Sequence, residues 1–246
     1  LDHLIQKLKK TKKNKLPKVF INVHFGGLPD NQKRLKYLSK KYRFKIIEDA
    51  SHSLGASFLN QKVGSCKWAD MTIFSFHPVK TITTAEGGMI TTNNKKYFDK
   101  LLLLRSHGIT KNKDQFKFKM QNISYYEQQY LGFNYRMNDI EASLGISQLK
   151  RIDKFVLKRN EIAKEYLKKL KDLPIFFQRI GKEYISSYHL FVIKINAKKV
   201  SFKSNFLIKE LRKNNIYSCL HYPPIHLHPF YREKGFRNGY LPNTED

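Results

Sequence analysis

The sequence predicts an α/β protein with a largely parallel sheet, followed by a smaller α+β domain. Two observations carry that prediction. Apolar runs of six or seven residues recur at 18–24, 44–49, 70–76 and 87–92, with amphipathic helical segments among them. Beyond Pro174 the order becomes strand, helix, strand, without the earlier alternation.

In chain order, residues 3–10 read as the end of an amphipathic helix, and a solvated basic loop runs on to Lys15. KVFINVH at 18–24 is a strand, ended by Gly26 and Gly27. Asp30 is positioned to cap a helix through about Lys41, and FKIIED at 44–49 is a short strand ending on two acids. DMTIFSF at 70–76 is the next strand, a loop holding Pro78 follows, and GGMITT at 87–92 returns to the sheet. A helix is expected at 94–106. Residues 111–136 are polar, aromatic and irregular, after which helical periodicity runs for more than thirty residues, about 138–172, with Asn138 or Asp139 as N-cap. The last elements expected are a strand at 189–196, a helix at 201–214 and a strand at 215–222. Two domains follow, 1–150 and 151–246, with the long helix as connector.

At 246 residues the chain is long enough to bury a core, and 41% hydrophobic content exceeds that of disordered chains despite a mean hydropathy of −0.55. No apolar run approaches the roughly 18 residues that span a bilayer, and the N-terminus lacks the apolar stretch of a secretory signal, so the cytoplasm is the expected compartment. Cys66 and Cys219 belong to no C-x-x-C pair, which argues against a zinc ribbon and for a reducing compartment. The net charge of +27 admits two readings, an anionic polymer as partner or compositional drift. Lysine outnumbers arginine and is scattered through every segment, which favours drift: a nucleic-acid face clusters its charge and uses Arg for bidentate contacts. No nucleic-acid or membrane partner is therefore expected.

Asp49 closes one strand and Lys80 lies 31 residues later, in a loop after another. Both fall at the same edge of a parallel sheet, where α/β proteins place their working sites. A carboxylate and a lysine meeting there suit pyridoxal phosphate: the acid keeps the pyridine nitrogen protonated and the lysine forms the Schiff base. Taken alone, the alternative is a solvated loop lysine.

The words around this pair decide between them. EDASHSLG at 48–55, VGSCKWADMTIFSFHPVKTITTAEGGMITTNN at 63–94, YYEQQYLGFNYRMNDIEASLGISQLKRID at 125–153 and HYPPIHLHPFYREKGF at 221–236 resemble the DegT/DnrJ/EryC1/StrS sugar aminotransferases. The resemblance implies the pyridoxal-phosphate-dependent transferase fold type I. It also implies transfer of an amino group from L-glutamate to the C4 ketone of a UDP-linked 2-acetamido-2,6-dideoxy-4-keto-hexose, as in pseudaminic acid synthesis. Sister activities at C3 or on dTDP sugars stay open, as does, from another class, a basic nucleic-acid-binding protein. By position the resemblance makes Lys80 the Schiff-base lysine and Asp49 the partner of the pyridine nitrogen. It sets His52 beside the cofactor ring and Ser75 on the phosphate. Asn134 matches a residue that reaches the cofactor phosphate of a neighbouring subunit, which implies a homodimer with a shared active site. His226 and Tyr222 fall in a small-domain loop facing the sugar nucleotide.

His221, His226 and His228 form a dense histidine cluster, but Pro223 and Pro224 exclude a helix that would set ligands four residues apart, and no carboxylate is near before Glu233. No metal is expected. The resemblance further implies that an N-terminal segment and the end of the small domain are missing, among them the turn that cradles the cofactor phosphate at a helix N-terminus. A fragment, weakly active or inactive as it stands, is the expectation.

Overall fold

A computed structural model describes residues 1–118 and 124–245. The part of the irregular segment 111–136 that spans 119–123 lies outside the described residues. The chain divides into two units, one of 1–171 with 178–192 and the other of 172–177 with 193–246.

The first unit opens with helix α1 (Asp2–Lys10), strand β1 (Val19–Val23), helix α2 (Gln32–Tyr42) and strand β2 (Lys45–Asp49). Two short strands, β3 (Ser57–Phe58) and β4 (Gln61–Lys62), precede β5 (Met71–Ser75) and β6 (Gly88–Thr91). The main sheet has the order β1-β2-β5-β6, parallel across its first two pairs and antiparallel at the last. The strands expected at 18–24, 44–49, 70–76 and 87–92 are thus neighbours in one mixed sheet. Asn31 rather than Asp30 caps α2, its side chain accepting the Arg34 N–H at 2.9 Å. Leu8, Leu35, Leu38, Phe44 and Ile46 form a core between α1, α2 and one sheet face, and a second core gathers Ala50, Ala56, Val63, Phe74, Phe76 and Ile82.

Helix α3 (Lys95–Leu104) is capped by Asn94, and β7 (Ile109–Thr110) pairs with β8 (Glu127–Gln128). The long helix expected at 138–172 is two helices, α4 (Asp139–Leu149) and α5 (Ile152–Lys169), broken at Lys150 and Arg151. Packing explains the break. Gln148 turns its side-chain carbonyl to the Thr83 N–H, while Ile152, Phe155 and Val156 pack beside Gly55 and the second core. Asn138 and Glu141 form a reciprocal capping box at the start of α4.

In the second unit, β9 (Ile175–Phe177) pairs antiparallel with β11 (Ile193–Ile195); between them in sequence, β10 (Tyr184–Ile185) belongs to the first unit and pairs with β3. The expected strand 189–196 is shortened accordingly. Helix α6 (Ser204–Lys213) follows, then two four-residue helices, α7 (Pro229–Arg232) and α8 (Pro242–Glu245). Residues 215–222 do not form the expected strand: they pair with no described strand, and Ile216, Tyr217 and Leu220 are exposed. Strand propensity without a neighbouring ladder does not make a strand.

Candidate active site

Asp49 is the last residue of β2 and is in register with Val23 of β1 and Ile73 of β5. Ser75 lies two residues beyond Ile73, so side-chain alternation puts Asp49 and Ser75 on the same face at the C-terminal edge of parallel strands. Lys80 is half-buried in the turn that follows β5, its N–H donating to the His77 carbonyl at 2.9 Å. The structure therefore brings Asp49, Ser75 and the Lys80 turn to one sheet edge.

The backbone around Asp49 is pinned from two sides. The His24 N–H donates to the Asp49 carbonyl at 3.0 Å, and the Ala50 N–H to the Ile73 carbonyl at 2.9 Å. Ser51 donates to Asp49 Oδ1 twice, from its hydroxyl at 2.6 Å and its N–H at 3.1 Å. His52 is buried, accepts the Gly26 N–H on Nδ1 at 3.4 Å and packs its ring 4.5 Å from that of His189. Ser187 donates to the His52 carbonyl at 2.6 Å. That contact explains Gly27, whose φ is +104°: a Cβ there would lie 2.4 Å from the Ser187 hydroxyl. Gly87 likewise, at φ +146°, has no room for a Cβ, which would meet Thr84 Oγ1 at 2.5 Å. The segment re-enters the sheet under close packing within the protein.

Behind Asp49 lies a buried polar layer that sequence reasoning did not single out. His24 is fully buried, with Nδ1 2.8 Å from Ser53 Oγ, and burial lowers its pKa from 6.5 to about 4. Glu48 is also buried and takes hydrogen bonds from Gln32 and from the Thr72 hydroxyl, the latter at 2.8 Å. Burial pushes its carboxyl pKa up, against those bonds. Both shifts favour uncharged forms, and His24 Nε2 approaches Glu48 only to 3.9 Å, outside hydrogen-bond range. Strand parity carries the signal: Phe20, Asn22 and His24 alternate onto one face, as do Ile46 and Glu48.

Asn134 is exposed and forms an isolated antiparallel bridge with Ser106, beyond the end of α3. In the second unit, His226 is buried with Nε2 2.8 Å from Glu245 Oε1. The Gly239 N–H first, and His226 with it, hold the Glu245 carboxyl below the usual carboxylate range. Tyr222 is exposed, its ring 4.2 Å from that of His221. Among the described residues no three His, Cys, Asp or Glu side chains are grouped to hold a metal, and no helix is long and apolar enough to cross a membrane.

Comparison with known proteins matches this arrangement to one family. Residues 5–246 match the model of the DegT/DnrJ/EryC1/StrS aminotransferase family. A Campylobacter jejuni UDP-4-amino-4,6-dideoxy-N-acetyl-beta-L-altrosamine transaminase is 40% identical over 212 residues, covering 86% of this chain and 53% of the relative. Among solved structures, Helicobacter pylori PseC, an aminotransferase involved in the biosynthesis of pseudoaminic acid, is 33% identical with a TM-score of 0.76, covering 87% of this chain and 54% of that one. The PLP form of a putative sugar aminotransferase from Streptococcus pneumoniae is 28% identical with a TM-score of 0.79, covering 94% and 60%. The chain thus spans little more than half the length of the relatives it matches. With Asp49 and Lys80 set at one edge of an α/β sheet and the match running almost end to end, the chain belongs to the DegT/DnrJ/EryC1/StrS aminotransferase family.

Proposed function

We propose that these residues form the cofactor-bearing part of a pyridoxal-phosphate-dependent sugar-nucleotide aminotransferase. It moves the amino group of L-glutamate to the C4 ketone of a UDP-linked 2-acetamido-2,6-dideoxy-4-keto-hexose. The observation that carries the reading is the common edge shared by Asp49, Ser75 and the Lys80 turn, together with the names of the relatives. The donor set fits the cofactor: one Asp49 oxygen is saturated by Ser51 while Oδ2 takes no hydrogen bond from a described residue, and a hydroxyl and an amine stand on the next strand and its turn.

When bound, pyridoxal phosphate supplies the electron sink through which an amino group is accepted and passed on. Asp49 holds the proton on the ring nitrogen, and the buried layer behind it keeps the end of β2 in place. Ser75 binds the phosphate and His52 lies against the ring. The Lys80 amine would anchor the cofactor and is the base that would carry a proton at the donor's α-carbon. Asn134 reaches the phosphate in a second copy of the chain, making the site shared in a homodimer. His226 and Tyr222 line the sugar-nucleotide pocket, with Glu245 orienting His226. A cytoplasmic location fits a nucleotide-sugar substrate.

The test uses the full gene product that carries this sequence. Glutamate-dependent amination of a UDP-4-keto sugar is expected, with a visible cofactor absorption that disappears in Lys80→Ala. Retention of that absorption in the variant overturns the assignment of Lys80. Amination of dTDP sugars in preference to UDP sugars overturns the substrate.

A further inference from the structure

Asp49 is held more firmly than its place at a strand end requires. Its carbonyl is taken by the His24 N–H and the next peptide is tied to Ile73, so the backbone leaves only the side-chain torsions to be set. Ser51 sets them. Its hydroxyl, 2.6 Å from Oδ1, is a short charge-assisted hydrogen bond, and its own N–H at 3.1 Å adds a second donor to the same oxygen. Oδ2 is left as the acceptor at the sheet edge shared with Ser75 and Lys80.

We propose that Ser51 is a positioning residue for Asp49: by saturating Oδ1 it leaves Oδ2 as the oxygen that accepts the proton of the cofactor's ring nitrogen. The inference rests on the cofactor reading given above and adds to it a residue that acts through Asp49. Hydroxyl and amide act together, because removing the hydroxyl leaves one weaker donor and frees the carboxylate to rotate. A carboxylate free to rotate must be ordered when the cofactor binds, which costs affinity.

Three variants of the full gene product separate the outcomes, read by cofactor dissociation constant and by the circular dichroism that the bound cofactor acquires in a fixed asymmetric site. Ser51→Ala is expected to weaken cofactor binding about tenfold and to reduce the induced dichroism, with the thermal midpoint of the cofactor-free protein lowered by no more than about 4 °C. Ser51→Thr, which keeps the hydroxyl, restores both. Asp49→Asn loses the signal altogether. Normal affinity and dichroism in Ser51→Ala, alongside their loss in Asp49→Asn, overturn the role of Ser51 and leave that of Asp49 standing. Failure of Ser51→Thr to restore them, or an equal loss of thermal stability without cofactor, overturns it too by making the effect structural. Unchanged binding in Asp49→Asn overturns the cofactor reading itself, and this inference with it.

Discussion

The two faces of the four-stranded sheet are built in opposite ways. Polar Asn22, His24, Glu48 and Thr72 lie on the buried face with Phe20, Ile46 and Phe74, whereas Val19, Ile21, Val23, Ile73 and Ile90 are exposed on the other. Ordinary sheets with one wet face show the reverse, apolar inward and polar outward. Glu48 and Asp49 put the contrast into two consecutive acids: Glu48 is 2% exposed and satisfied by Gln32 and Thr72, while Asp49 looks to the other side and keeps an oxygen open. The inner face therefore holds the strands in register, and the edge of the outer face presents Asp49 and Ser75. Parallel strands are covered on both faces in α/β folds, so the apolar outer face is suited to a covering layer.

The largest effects should separate chemistry from stability. In the full gene product, Lys80→Ala and Asp49→Asn are each expected to lower the amination rate by about a thousandfold or more. The urea midpoint of the cofactor-free protein should stay in place, because neither side chain belongs to a buried core. Loss of activity accompanied by an equally large loss of stability would erase the distinction between the faces. The opposite pattern is expected for Ile46→Ala, at 1% exposure in the core under α1 and α2. Chemical denaturation should show a loss of about 3 kcal/mol, with cofactor affinity kept in the fraction that remains folded.

This division was partly legible in the sequence. Alternation and motif spacing were enough to find the four strands and to bring Asp49 and Lys80 to one edge, since each signal lies within a few residues of its strand; Ser75 came only from the family resemblance. The polar inner layer was harder to see: His24 and Glu48 look like solvent-facing residues until their strands are paired and α2 brings in Gln32. The break at Lys150 and Arg151 was hidden for a related reason. Helical periodicity continues through it, and only the packing of Gln148 on Thr83 and of Val156 beside Gly55 requires a change of direction. The missing strand at 215–222 shows the converse, local propensity with no described strand alongside to form a ladder.

The inner face should also set the acid limit of stability. Unfolded, His24 takes up a proton near pH 6.5; folded, only near pH 4. Between those values the unfolded state binds more protons, so this contribution is intact above pH 6.5 and lost as pH falls, by about 3 kcal/mol once pH is below 4. Glu48 runs the other way, since its folded pKa is raised: its contribution is present below its ordinary value of 4.5 and lost as pH rises through the folded one. Urea titrations from pH 7.5 to 4 should show a steep acid limb that His24→Asn flattens, at the cost of a lower plateau. An acid limb unchanged in that variant would mean that other groups set it and that the layer does not behave as neutral.

The smallest effect expected is the most discriminating for the comparison. Ile21 is 60% exposed at the centre of β1, one residue from buried Asn22. Ile21→Ser in this 246-residue chain should change stability by only about 0.5 kcal/mol, since little apolar area leaves water there on folding. The same substitution in a longer gene product that covers the face should cost about 2 kcal/mol, because the side chain is then buried. A large cost in the short chain that grows with protein concentration would show that a second copy supplies the cover, since only association makes stability depend on concentration. A large cost independent of concentration would mean that the outer face is packed within the chain itself, and the contrast between the two faces would fail.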